Sequence, residues 1–534
     1  MAGPDKRNIY KISIPGVARS FDRRLILLVN MVPMALALIQ ISSVNVAMPS
    51  IEASLDAASS DIQWVLSGYA LAFGICLVPS GRLGDVIGRS SIFCAGLGIF
   101  AIASAACGLA SDPLSLNVAR VFQGMGAGMQ GPQTVGMIQQ HFRGKGRAKA
   151  YSLQGMVVAA SVAVGPLATG LLITFLGADL GWRVPFLLNL PLGLLGCVLA
   201  LRWLPFEAER ERRHAPGKQA ERRRLDLDPL GAALLTGAVV CVMLPFMLGE
   251  TVGWRFWLLG AAVLLGLGWL AWEWWYGRAG HEPMVDLGLL KLRSFTHQTL
   301  VSAMDFLGVT SIFVVVAMFL QQGLGWSALQ ASMIGLPNAV LSCFGAMWAG
   351  KYVLAWKDKL VIGVLGIIAI GIFSSVGVVW GARDGGWSPW WLLLTFGIYG
   401  LGQGAFGAAN QTLAMLNVPV PMAGTAGGVK SMTERVSTAV GNAVMTGVLF
   451  ATLPYFDWHG AVMVTYGSIC VVVTAALALA TAYVIYERRK RTSSEDTHPR
   501  GSSAGLRPEI LIQVQDDGVE RTADELKGTA EADG

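Results

Sequence analysis

Charge is scarce. Only 14% of the 534 residues are charged, against roughly 25% in an ordinary soluble protein. With 54% of residues hydrophobic, a water-facing surface cannot be covered, which excludes a soluble globular chain. Cysteine contributes little. The seven (Cys76, Cys94, Cys107, Cys197, Cys241, Cys343, Cys470) all fall inside apolar runs, none at metal or redox spacing. They read as small buried hydrophobes, so no metal site or disulfide framework is expected. The six histidines form no cluster. No Walker-type loop is present, so ATP is not expected as an energy source, and without a nucleophile–base pair the chain does not read as an enzyme. The first two dozen or so residues are charged and lack a cleavage-like site, so they read as a cytoplasmic tail rather than a signal peptide. The formal net charge of +6 does not point to nucleic acid, because the basic residues sit in short loops between apolar runs.

What is abundant is Gly (65) and Trp (17), as in membrane helices and their interfaces. A spanning helix needs about 20 apolar residues. Fourteen runs meet that measure: Leu25–Pro49, Ile62–Ser80, Ile92–Leu109, Leu114–Gln139, Ala150–Leu176, Val184–Leu204, Pro229–Gly249, Phe256–Trp275, His297–Gln321, Ala328–Val353, Leu360–Trp380, Pro389–Leu416, Ala423–Leu453 and Gly460–Tyr486. The expected fold class is an all-α polytopic membrane protein. Basic clusters precede the first run and follow the second, fourth, sixth, eighth, tenth and last. The positive-inside rule then places both termini in the cytoplasm. An odd number of crossings would break this register.

The expected organisation is a tail (1–24), a six-helix bundle (25–204), a charged loop (205–228), two extra helices (229–275), a linker (276–296), a second six-helix bundle (297–486) and a disordered tail (487–534) with one apolar patch at Ile510–Val514. The segment Lys351–Lys359 resembles a decayed copy of Gly81–Arg89, and each follows the second helix of a six-helix block. Such parallel repeats are what transporters built from two halves show.

Gly81–Phe93 packs three charges and three glycines between two apolar runs. Asp85 and Arg89, four apart, share a helical face and can pair. This stretch resembles the signature loop of the major facilitator superfamily. Further matches are Val44–Pro49, Trp64–Tyr69, Arg120–Gly126, Gly165-Pro166 with Gly170, and Trp182–Gly193. As an ordered set over residues 25–486, they are similar to the fourteen-helix drug:proton antiporter branch. The resemblance implies the major facilitator fold, two six-helix bundles with two added helices between them. It also implies export of lipophilic, often cationic, compounds driven by proton entry across the cytoplasmic membrane, with no cofactor. The chain is expected to act as a monomer. Its expected partners are an amphipathic small molecule, protons and the bilayer.

The resemblance also carries roles. Gly81, Arg82, Gly84, Asp85, Gly88 and Arg89 form a conformational latch, Asp85 pairing with Arg89 and with the positive end of a helix in the other half. Gly165, Pro166 and Gly170 form a bendable seam between the halves, Pro166 removing a helical hydrogen bond. Arg120 matches a residue linked to proton transfer. Two departures stand out. Gln40 occupies the position where the family usually has a first-helix Asp, so Arg120 needs another counter-charge. Ser161 and Thr169 stand where glycines are usual, but they remain small enough for close packing.

An ionised group at mid-bilayer usually faces a cavity or a partner. Besides Arg120, those away from the run ends are Asp305, Lys430, Glu434 and Arg435. Asp305 is the first candidate for proton coupling and Glu434 the second, although Glu434 can also pair with Lys430 four residues before it. Gln40, Asn45, Gln154, Asn338, Gln403 and Asn410 are polar candidates for a substrate cavity, or equally for interhelical hydrogen bonding. The tryptophans at run ends (Trp254, Trp257, Trp387, Trp390, Trp391) read as interface anchors. One proton crossing 100 mV contributes roughly 2.3 kcal/mol and a pH unit about 1.4, enough for a gradient of a few hundredfold. Two other readings remain: export of an endogenous lipid or metabolite, and a sensor or scaffold without transport.

Overall fold

The computed structural model describes residues 11–13, 20–206, 209, 227–247, 257–383 and 386–496. The Arg210–Arg224 run, Trp254 and the Ile510–Val514 patch lie outside them. The long helices are α1 (Arg23–Leu55), α2 (Ser59–Ile87), α3 (Arg89–Gly108), α4 (Pro113–His141), α5 and α6 (together Gly144–Trp203), α7 (Pro229–Met247) and α8 (Trp257–Arg278). They continue with α9 (Arg293–Gly323), α10 (Gln330–Trp356), α11 (Asp358–Arg383), α12 (Pro389–Ala414), α13 (Ala423–Thr452) and α14 (Trp458–Asp496). The boundary between α5 and α6 is Gly177, at φ 84°, a backbone conformation open to glycine and strained for other residues.

Eleven helical stretches are long and apolar enough to cross a membrane, with Gly144–Trp203 counted once for two passages. The two spans missing from that set are α4 and α13. Their inward faces carry buried Arg120, Gln123, Gln130 and Gln133, and buried Lys430, respectively. These polar side chains are enclosed by protein, the setting in which charged side chains are tolerated at membrane depth.

Each half has its own core. In the first, α1 lies along α5, and α2 and α3 flank α4. In the second, α10 and α11 flank α12, and α11 packs on α14 around Phe396, Phe406, Tyr399 and Tyr466. The added pair α7–α8 packs outside the α2–α13 contact, through Leu235, Val239 and Met243 against Leu71, Ile75, Val436 and Ala439. One expectation needs correcting, at the C-terminal end. Helix α14 runs to Asp496, ten residues past the expected end at Tyr486, since an amphiphilic helix need not stop where the apolar run does. In the N-terminal tail, Lys11–Ser13 pairs antiparallel with Ser20–Asp22, and Phe21 is buried against Ile26, Val29 and Phe93. Asp22 then caps α1 by accepting from the Arg24 N–H at 2.8 Å.

Candidate functional site

The α2–α3 hairpin joins the two halves at one end of the bundle. Asp85 sits against the N-terminus of α13. Its Oδ1 accepts from the Gly424 N–H (3.1 Å) and its Oδ2 from the Thr425 N–H (2.8 Å) and hydroxyl (3.0 Å). A carboxylate at a helix N-terminus meets unpaired N–H groups and the positive end of the dipole. Arg89 closes the other side. Its Nη2 bonds Asp85 at 2.7 Å and also donates to the Val420 carbonyl, while its Nη1 donates to the Gly136 carbonyl at 2.7 Å. Both side chains are nearly sealed from solvent, at 6% and 2% exposure.

The three glycines have separate duties. At Gly81 a Cβ would lie 2.6 Å from the Gly424 carbonyl, at Gly84 it would collide with Gln133, and Gly88 adopts φ 123°. Arg82 faces elsewhere, bonding Glu282 of the α8–α9 linker at 2.8 Å. That linker is itself tied to the added helices. The Met284 N–H reaches Asp228, just before α7, and the Val285 N–H reaches Glu273 of α8, both buried carboxyls.

The halves also meet on α5. The Ser152 hydroxyl donates to the Ala346 carbonyl at 2.7 Å, and a Cβ at Gly155 would lie 3.4 Å from that of Ala346. Gln139 of α4 donates to the Met415 and Val418 carbonyls at 2.8 and 3.0 Å. Farther along α5, Val164, Leu167, Leu171 and Phe175 are exposed. Among the described residues, the hydrogen bonds between the halves all lie toward the hairpin end, so the bundle is shut there.

This corrects the expected seam. Gly165 packs against α1, not across the halves: the Ser43 hydroxyl donates to its carbonyl at 3.1 Å, and Ser42 blocks the space a Cβ would need. Pro166 is half-buried on the same turn, and Gly170 has open space where a Cβ would point. In this conformation the α5 residues that touch the second half include Ala148, Ser152, Gly155 and Met156. The sequence signal for them was the small residues at 152 and 155.

In the first half Arg120 is 1% exposed. Its Nε donates to the Val65 carbonyl at 2.9 Å, its Nη1 to Gln123 at 2.5 Å, and its guanidinium stands 4.2 Å from the Tyr69 ring centroid. Neutral acceptors and ring faces therefore take the place of the expected counter-charge. Gln40 does not reach Arg120. It accepts from Asn189 of α6 at 2.7 Å, tying α1 to α6.

In the second half Asp305 of α9 is fully buried. Gln403 of α12 donates to its Oδ2 at 3.2 Å, and its Oδ1 has no partner among the described residues. One helical turn away, Ser302 donates to Glu434 at 2.6 Å, and Glu434 is ion-paired with Lys430. Asp305, Gln403, Ser302, Glu434 and Lys430 thus form one polar cluster between α9, α12 and α13.

The other polar candidates divide. Asn410 is buried and donates to Gln298, which donates in turn to Asp358, so it holds helices together rather than lining a cavity. Asn45 is exposed, while Gln154 and Asn338 are half-buried, their carbonyl oxygens without partners among the described residues. Trp257, Trp387 and Trp391 are more than half exposed at helix ends, as interface anchors would be.

The sequence profile described as the Major Facilitator Superfamily matches residues 32–248 and 229–442. The chain is 34% identical over 419 residues to a probable actinorhodin transporter of Streptomyces coelicolor, covering 77% of this chain and 69% of that one. It is 30% identical to a tetracenomycin C resistance and export protein of Streptomyces glaucescens, covering 77% and 72%. The proton:xylose symporter XylE superposes with a TM-score of 0.60 at 16% identity, over 85% of this chain and 94% of that one, a likeness of fold alone. With the ordered motifs and the two-bundle architecture, these matches show that the chain belongs to the major facilitator superfamily of membrane transporters, in its fourteen-helix drug-exporter branch.

Proposed function

We propose that this protein exports amphipathic small molecules across the cytoplasmic membrane in exchange for protons, by alternating access. The hairpin end would face the cytoplasm with both termini, and the chain would act as a monomer without a cofactor. The observation that carries the coupling is Asp305, a fully buried carboxyl at the middle of α9 with one oxygen unpartnered. An isolated carboxylate there would be costly, so its protonation state is tied to whether the surroundings admit water. Protonated, Asp305 suits the packed cluster described above; deprotonated, it favours an arrangement that hydrates it. Gln403 and the Lys430–Glu434 pair connect that change to α12 and α13. Helix α13 begins at the Asp85 clamp, which links the titrating centre to the gate. The relatives named as antibiotic exporters support compounds of that kind as cargo.

The test uses proteoliposomes with an imposed pH gradient and a mixed panel of lipophilic compounds. Asp305→Asn is expected to abolish uphill export while leaving substrate binding measurable. Normal gradient-driven efflux in that variant would remove Asp305 from the mechanism. Silence of the folded wild type with every compound would instead favour the sensor reading.

A further inference from the structure

Helices α2 and α13 touch through glycines near the clamp and through larger side chains farther along. Gly424 lies against Gly81, and Gly428 against Leu77 and Val78. Residues 424, 428 and 435 share one face of α13, spaced by four and then seven. Farther along this face Arg435 reaches across, its guanidinium standing 5.0 Å from the ring centroid of Phe73 on α2. Phe73 is stacked in turn on Tyr69, with centroids 6.2 Å apart, and Arg120 covers Tyr69 from the first half. Two guanidinium groups, one from each half, thus sit on consecutive rings of one helix face.

Neither has a carboxylate partner among the described residues. The neighbouring acid Glu434 is taken by Lys430 and Ser302, and Asp305 by Gln403. Arg120 is sealed in, but Arg435 and Phe73 are only half-buried. The Tyr69 hydroxyl beside them is buried without a partner among the described residues. A cation at membrane depth without a counter-ion marks a pathway or a ligand site. Arg presents a planar fork that suits carboxylates, and its face stacks on aromatic rings.

We propose that Arg435 and Phe73 form the floor of the substrate cleft and select aromatic anions, with Arg435 binding the anionic group and Phe73 the ring. This rests on the exporter reading and departs from the lipophilic cations that the sequence resemblance implies. It can be tested without transport. The full chain in nanodiscs is titrated with anthracene-9-carboxylate and with 9-(aminomethyl)anthracene, a probe of like shape and opposite charge, with empty nanodiscs subtracted. The wild type is expected to bind the carboxylate at least about tenfold more tightly than the ammonium. Arg435→Gln should erase that preference, Arg435→Lys should keep part of it, and Phe73→Leu should weaken both probes. Tighter binding of the ammonium by the wild type, or a preference that survives Arg435→Gln, overturns the proposal. Should Arg435→Gln not fold, Arg435→Lys and Phe73→Leu decide: unchanged affinities in both overturn it. Because binding is read at equilibrium, Arg435-dependent binding with no export would count against the exporter reading alone, and export with no charge preference in binding against this proposal alone.

Discussion

Arg120 shows how a buried charge is kept without a counter-ion. Its guanidinium spends two donors on a carbonyl and an amide and its face on Tyr69. A lysine ammonium at the end of a flexible stem cannot make that set of contacts together. Loss of one charge-assisted hydrogen bond costs about 1.5–3 kcal/mol. Arg120→Lys is expected to lower transport by roughly tenfold or more while the protein still elutes as a single species; transport at the wild-type level would show that the ring and carbonyl contacts carry nothing. The residues themselves were legible in the sequence, since charges inside apolar runs stand out. Their partners were not. Gln40 looked like a substitute for a missing acid near Arg120, but it is spent on Asn189 of α6, a contact 149 positions away that no local pattern encodes.

At the scale of elements, the α2–α3 hairpin and the start of α13 act as one joint. Asp85 accepts three hydrogen bonds from Gly424 and Thr425 and also makes the pair with Arg89. Asp85→Asn keeps the size but loses the charge. A loss of about 2 kcal/mol would shift the balance between shut and open hairpin ends by roughly thirtyfold. Transport of every substrate is expected to slow alike; an effect confined to one substrate would contradict the clamp role. The added helices bear on the same joint through the Arg82–Glu282 bridge. Glu282→Ala is expected to loosen the hairpin and raise solvent access to a cysteine introduced at Val78, which is buried against Gly428, measured by maleimide labelling. Unchanged labelling would separate the α7–α8 pair from the gate. The hairpin motif pointed to its own glycines and charges, but Glu282, 200 residues from Arg82, carries no signature.

Across the whole molecule, the halves are held at the hairpin end by α2 on α13 and by α5 on α10. The Cβ positions at Gly155 and Ala346 lie 3.4 Å apart, close to the separation that a disulfide spans. A Gly155→Cys, Ala346→Cys double variant is expected to lose transport on oxidation and regain it on reduction, with the oxidised wild type as control for its native cysteines. Undiminished transport by the cross-linked protein would mean the halves need not separate there.

The chain's own pattern determined the number of crossings, the two-bundle plan and the residues that carry charge into the bilayer. Those features follow from local apolarity, from loop charge and from motifs that are contiguous in sequence. The tertiary structure alone decided which small residues of α5 meet the other half, what Arg120 and Gln40 bind, and that Arg435 meets Phe73. Helix periodicity says that a side chain has a face, but which helix that face meets depends on packing between segments hundreds of residues apart.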